Sequence, residues 1–380
     1  MKKETDILIL GAGASGLMLA ALLPHNNYII VDNNSKIGSK ILVSGGGKCN
    51  ITNGDLKPNN FLGNQRFIRN VLKRFDQHEL LSWLAKRGLN PIVRKNHQYF
   101  CENSAKELVS VFEKEIKRQN ILLNCKIEEV KKVDEHFEVK TNKGYIKAKK
   151  VVVATGGLSF PKLGATAIGY EIARSFGHEV STLLAGLVGF TVQPQQFFFK
   201  SLSGIATEVK IRVKEKEIDG SLLFAHKGVS GPAVLDASLY WDRGRIEIDF
   251  LPTINIDSLK SSKKNLSRVL GLPNRVAKAF LELLNIEDRA CSLLSRDEWQ
   301  KIATLKSYTF APAGTFGYSK AEVTKGGVML DEVDASSMMS RRVDNLYFLG
   351  EVLDVTGELG GYNFQWAFSS AYVCAKGLSV

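Results

Sequence analysis

The stretch ILVSGGGKCNITN, Ile41 to Asn53, sets Gly45, Gly46 and Gly47 directly before Lys48, Cys49 and Asn50. Consecutive glycines remove side chains where something large and flat can approach the backbone. A bare turn that ends in a cation, a thiol and an amide suits a ligand with chemistry at its edge. A second glycine cluster, Gly11, Gly13 and Gly16, stands in GxGxxG spacing within TDILILGAGASGLMLAALL, between an apolar strand and a helix. NNYIIVDNN follows as a second strand ending in Asp32, about 20 residues beyond the first glycine, where a dinucleotide-binding unit places its ribose acid. Gly11 permits the tight turn, Gly13 lets backbone amides approach a pyrophosphate at the helix N-terminus, and Gly16 allows close helix–strand packing.

The chain that must position these residues has 380 residues, of which 44% are hydrophobic, enough for one large domain with insertions or for two to three modules. No apolar run approaches the roughly 18 to 20 residues that cross a bilayer. The N-terminus runs straight into a strand without a small-residue cleavage site, which predicts a cytoplasmic protein with no membrane partner. The five cysteines (Cys49, Cys101, Cys125, Cys291 and Cys374) include no CxxC pair, so neither a disulfide framework nor a metal site is expected. The net charge of +12 is concentrated in two places. Residues 57–95 carry nine Lys/Arg against two acids, and residues 257–280 carry six against one, so together they hold the whole excess. Concentrated positive charge favours a polyanion such as nucleic acid, the alternative being a solvated helix face.

An α/β fold follows, with a Rossmann-like domain built from residues 1–185 and 336–380. It carries a basic helical insertion at about 57–95. There Arg66, Arg69, Lys73 and Arg74 fall close to one face while Phe67, Val71, Leu72 and Phe75 can point inward. Asp76 and Glu79 open a second helix in that insertion, and Gly88 can end it. KKVVVATGG predicts a strand returning to the parallel sheet. Short strands such as EVKIRVKEKEIDGSLLF predict an inserted β-domain over 186–252 that resumes over 309–335. A lysine-rich stretch over 253–308, containing Lys263, Lys264 and Arg268, predicts a small helical domain.

The motifs ILGAGASGLMLA, KILVSGGGKCNITN, ATGGLSFPKLGATAIGY, LLFAHKGVSGPAVL, AEVTKGGVML and LYFLGEVLDVTGELGGYNFQWAFSSA occur in this order over nearly the whole chain. In them the chain resembles the BaiN-like (YhiN-type) FAD-dependent flavoproteins. The resemblance implies a glutathione-reductase-like FAD-binding domain, a three-part architecture and an oxidoreductase role. It places FAD contacts at Gly11, Gly13, Ser15, Gly16, Asp32, Lys40, Ser44, Gly46, Gly47, Asn50, Thr155, Gly156, Gly350, Glu351, Asp354, Gly361, Tyr362 and Asn363. Two local departures are Phe100–Cys101 in place of the usual Phe-Pro, and Ala185 in place of proline. Near the C-terminus, GGYNFQWAF opens a helix whose first amides can stabilise negative charge on an isoalloxazine. No second GxGxxG follows, so the sequence shows no dedicated NADPH domain of the glutathione-reductase kind, and the electron source, NADPH or NADH, stays open.

Flavin supplies hydride chemistry, and the protein supplies binding, orientation and a proton donor. Reduction of a polarised C=C needs a proton beside the hydride. Cys49 is the first candidate to give it, with Tyr362 and His226 behind. The alternatives are a small packing residue for Cys49 and a hydrogen-bonded loop histidine for His226. Members of the resembled family are associated with reduction of a uridine in large-subunit (23S) ribosomal RNA to dihydrouridine, and with reduction of steroid-like enones. The two basic segments favour ribosomal RNA, free or in a particle, with Arg66, Arg69, Lys73, Arg74, Lys263, Lys264 and Arg268 as RNA contacts. A reductase of small enones is the alternative, and a non-catalytic RNA-binding or ribosome-assembly protein stabilised by FAD is a third reading.

Overall fold

A computed structural model describes residues 3–23 and 27–378, which fall into two compact units. The first comprises Met1–Ala185 and Val323–Val380, the second Gly186–Glu322.

In the first unit, strand β1 (Lys3–Leu10) pairs in parallel with β2 (Tyr28–Val31) on one side and with Gly144–Val153 on the other. Leu8, Ile9 and Leu10 have no exposed surface, as expected of a parallel strand covered on both faces. The long strand Gly144–Val153 serves two partners. Its apolar end, Val151–Val153, pairs in parallel with Leu346–Phe348, while Gly144–Ala148 pairs antiparallel with His136–Thr141. The segment KKVVVATGG thus returns to the parallel sheet, as its apolar run predicts.

Helix α1 (Ala14–Ala21) starts at Gly13 without a side-chain cap, so its first backbone N–H groups are left for other partners. The basic insertion holds two short helices. Asn64 caps Gln65–Leu72 by accepting from the amides of Arg66 and Phe67, and Asp76 caps Gln77–Ala85 by accepting from His78 and Glu79. Phe67, Ile68, Val71 and Leu72 are buried, with Phe67 against Trp366 of the C-terminal helix Tyr362–Leu378. Gly88, at φ 79°, follows the second helix where a left-handed residue ends it.

The second unit is an antiparallel seven-stranded sheet whose central strands are Ala206–Val213 and Lys216–Ala225. The helices of the lysine-rich stretch pack on this sheet. Phe280 of helix Asn274–Leu283 stands 4.7 Å from Phe250, and Leu266, Val276, Trp299 and Ile302 belong to the same core as Phe190 and Phe224. Residues 253–308 therefore share one core with the strands, a correction to the separate helical domain expected from the sequence. Residues 323–335, expected in the β-domain, fall in the first unit. Val328 bridges Val180 and Leu353 there, and Thr324 accepts from the amide of Leu158. Among the described residues no helix is long and apolar enough to cross a membrane.

Candidate functional site

The GxGxxG turn shows why each glycine stands where it does. A Cβ on Gly16 would lie 2.0 Å from the carbonyl oxygen of Gly11, so only glycine lets α1 close on the turn. A Cβ on Gly13 would meet no atom within 4 Å, which leaves open ground in front of the uncapped helix start. Asp32 closes the unit: Oδ2 accepts from the Ala12 amide at 2.7 Å and Oδ1 from the Asn34 amide at 2.8 Å. One carboxylate thus ties the glycine turn to the end of β2, and ionised oxygens of this kind have acceptor capacity to spare.

The second glycine turn runs through left-handed backbone. Gly45, Gly46 and Gly47 all have positive φ, and a Cβ on Gly46 would again meet nothing within 4 Å. Ser44 donates its hydroxyl to the Ile41 carbonyl. Asn50 Nδ2 donates to Gln98 Oε1 at 3.0 Å, while its Oδ1 is buried and has no partner. Thr155 Oγ1, in the turn after Gly144–Val153, is buried and unpartnered in the same way. Buried acceptors and hydroxyls of this sort are normally satisfied by a ligand or water.

Lys40 and Glu351 form the polar centre of the unit. Lys40 Nζ lies 2.7 Å from Glu351 Oε2 and donates to Ser159 Oγ at 2.6 Å. Ser159 in turn donates to Glu351 Oε1, which also accepts from the Thr324 amide at 2.8 Å. Ser159 and Thr324 were not singled out from the sequence, although both lie inside quoted motifs; their role follows from Glu351, which is too distant in sequence to imply them. Gly157 leaves this network room, since a Cβ there would stand 2.4 Å from Thr324 Oγ1 and 2.8 Å from Glu351 Oε1, while Gly156 takes a left-handed φ of 72°.

The C-terminal motif closes the site. Gly350 sits against Ser15, donates its amide to Ser370 and accepts from the indole of Trp366. Gly361 packs on the Thr52 carbonyl and Asn50 Oδ1. The Asn363 amide is engaged at both ends by the backbone of Gly357, at 2.8 Å each. Asp354 is mostly buried, and burial pushes its carboxyl above the usual range.

The three candidate proton donors separate. Cys49 has φ 44° and no exposed surface, and burial pushes its thiol up to about 12. A protonated thiol sealed in the core is not presented to a substrate, which corrects the expectation drawn from its neighbours. Tyr362 is buried against Phe61, and its hydroxyl donates to the Asp55 carbonyl. His226 is exposed in the turn after Lys216–Ala225 of the second unit. The basic side chains of Arg66, Arg69, Lys73, Arg74, Lys263, Lys264 and Arg268 are all exposed. Arg74 donates to the Ser336 carbonyl. Among the described residues no cluster of three or more His, Cys, Asp or Glu is placed to hold a metal.

Residues 5–377 match the HI0933-like protein Rossmann domain family. The chain belongs to this family. It is 39% identical to the ribosomal RNA dihydrouridine synthase of Haemophilus influenzae over 399 residues, covering 100% of both chains. It is 30% identical to the 3-dehydro-bile acid delta(4,6)-reductase of Clostridium scindens, covering 97% of both. Among solved structures, the Sdh1 complex of Mycobacterium smegmatis in its apo form superimposes with a TM-score of 0.51 at 14% identity, over 99% of this chain and 68% of that one, a likeness of fold. With these relatives the HI0933-like chain is an FAD-dependent oxidoreductase. The open ground at Gly13 and Gly46 and the unpartnered Asn50 Oδ1 and Thr155 Oγ1 fit a bound dinucleotide with a flat ring system.

Proposed function

We propose that this protein reduces a uridine of large-subunit (23S) ribosomal RNA to dihydrouridine, acting in the cytoplasm on the RNA or a ribosomal particle. The observation that carries this reading is the outer face of helix Gln65–Leu72. Arg66 and Arg69 on it, and Lys73 at its end, are exposed and make no side-chain ion pair among the described residues, while the opposite face is buried. A small apolar substrate gives no reason for that face, whereas RNA is held chiefly through its phosphates.

Bound FAD supplies the hydride, with NADPH or NADH as the source of electrons. The chain's own residues do the rest. Gly13 and the uncapped start of α1 take the pyrophosphate, Asp32 the ribose, and Lys40, Asn50, Thr155 and Glu351 the polar groups of the ring and its chain. Tyr362 is the candidate acid in place of the fully buried thiol, and its hydroxyl gives the proton by turning from the Asp55 carbonyl to the substrate. A reductase of small enones is the second reading, favoured by the 30% identical bile-acid enzyme.

The deciding experiment is mass spectrometry of ribosomal RNA nucleosides from cells with and without the gene. Loss of dihydrouridine on deletion, restored by complementation, is the expected result. An unchanged level overturns the RNA reading and turns attention to enones with purified, FAD-loaded protein.

A further inference from the structure

Residues 92–100 form a hairpin whose second strand, Gln98–Phe100, pairs with Asn50–Asn53. Its turn is tied down at two points. Asn53, which is buried, donates its NH₂ group to the carbonyls of Asn96 and Gly360, and the Gly54 amide donates to the His97 carbonyl at 2.8 Å. Gln98 is thereby held beside the Gly360–Gly361 turn by a frame that does not use its own side chain. Within this frame its carboxamide is engaged at one end only. Oε1 accepts from Asn50 Nδ2 at 3.0 Å, and the NH₂ group donates to nothing among the described residues. A half-buried carboxamide that keeps its N–H donors unspent is set for an acceptor that arrives from outside.

The place of those donors is marked by Gly360. A Cβ there would lie 3.5 Å from Gln98 Nε2 and 3.2 Å from Tyr362 Cε2, the ring carbon next to the one that bears the hydroxyl. The amide donors and the ring of the candidate acid thus flank one bare point of backbone. The next glycine, Gly361, sits against Asn50 Oδ1, the buried acceptor without a partner. An acid and a hydrogen-bond donor side by side are what reduction of a C=C conjugated to a carbonyl requires. In uracil, hydride arriving at C6 pushes the C5=C6 electron pair towards C4 and O4, and the enolate so formed takes its proton at C5, one bond from C4. The group that serves O4 and the group that serves C5 must therefore be neighbours.

We propose that Gln98 is a catalytic residue of the uridine reduction, donating an amide N–H to O4 of the target uracil and holding the enolate charge while Tyr362 protonates C5. Asn50 is its positioning residue, because it occupies the carboxamide oxygen and leaves only donors for the substrate. The inference rests on the RNA reading above. The test is anaerobic reoxidation of the dithionite-reduced holoenzyme by large-subunit ribosomal RNA transcribed with uridine or with 4-thiouridine, followed by flavin absorbance. Sulfur is a weaker acceptor than oxygen, so it removes the substrate's half of the hydrogen bond without touching the protein. Gln98→Met should slow reoxidation by the uridine RNA by about 10²–10³. The rate ratio between the two RNAs should shrink by about tenfold or more, the coupling of groups in contact. Gln98→Glu, which keeps an acceptor for Asn50 but has no donor, should show the same loss. FAD content, RNA affinity and reoxidation by dioxygen should be retained in both variants, since none of them involves O4 and RNA is held chiefly through its phosphates. Wild-type rates in the variants, or an undiminished ratio between the two RNAs, overturn the role of Gln98 and leave the RNA reading standing. A wild-type holoenzyme reoxidised by dioxygen but by neither RNA, naked or assembled with its ribosomal proteins, overturns both.

Discussion

Lys40 Nζ and Glu351 Oε2 stand 2.7 Å apart across 311 residues of sequence, joining the first glycine-rich half of the nucleotide cradle to the C-terminal motif. Glu351 is only 18% exposed, so removing its cation leaves a poorly solvated carboxylate. Lys40→Met should lower stability by about 1–3 kcal/mol. FAD affinity should fall as well. The double variant with Glu351→Gln should recover part of the stability. Thermal denaturation and a flavin fluorescence titration measure both, and an unchanged single variant would mean that solvent screens the pair.

Gly13 and Gly16 should behave oppositely. Gly13 has φ −86° and ψ −168°, which alanine adopts, and space around its Cβ. Gly13→Ala should fold normally and lose FAD affinity, because the methyl group takes the ground in front of α1. Gly16→Ala drives a methyl group into the Gly11 carbonyl and should destabilise the unit by about 1–3 kcal/mol even without FAD. Denaturation of the apoprotein separates the two.

Proton donation should depend on Tyr362 and not on Cys49. Tyr362→Phe should slow product formation by about 10²–10⁴ with FAD retained. Cys49→Ala should change turnover less than threefold, within the ordinary scatter of a packing change. Single-turnover kinetics on ribosomal RNA decides, and a large loss in the cysteine variant would restore the thiol as the acid.

The Cys49 thiol also predicts a loss of stability in alkali. Its folded value, about 12, lies above its ordinary 9.0, so its contribution is fully present below about pH 9 and is lost as pH rises towards 12. Urea unfolding between pH 8 and about 11 should show a steeper decline in wild type than in Cys49→Ala.

His178 should make the first unit acid-sensitive. Its Nδ1 is 3.1 Å from Glu332 Oε2 and its Nε2 2.8 Å from Ser340 Oγ. Burial holds the imidazole below its usual range, against the pull of Glu332. A depressed folded value means stability that is present above about pH 6.5 and lost as pH falls. The Tm of wild type should drop between pH 7 and 5 more steeply than that of His178→Gln.

Charge reversal at Arg66, Arg69 and Lys73 should weaken binding to a ribosomal RNA fragment and lower the salt slope by about 2, three single-strand contacts. Their exposure predicts no change in Tm beyond about 0.5 kcal/mol equivalent. Binding that ignores the reversal would reduce this face to a solvated surface.

Local backbone requirements were legible in the amino-acid order. Gly11, Gly13 and Gly16 at fixed spacing before an apolar helix, Asp32 in register after β2, and the Asp76 cap each depend on a few neighbouring residues, and each stands where the pattern places it. The amphipathic basic helix Gln65–Leu72 was legible for the same reason, since its period sorts buried from exposed side chains. What only the tertiary structure decided depends on contacts between distant segments. Cys49 follows a glycine turn whatever its surroundings, but whether its thiol faces a ligand or the core is settled by the packing around it, and the packing buries it. The Lys40–Ser159–Glu351–Thr324 network and the common core of residues 253–308 with the β-strands arise in the same way, because burial and long-range pairing belong to the assembled chain and leave no local period to read.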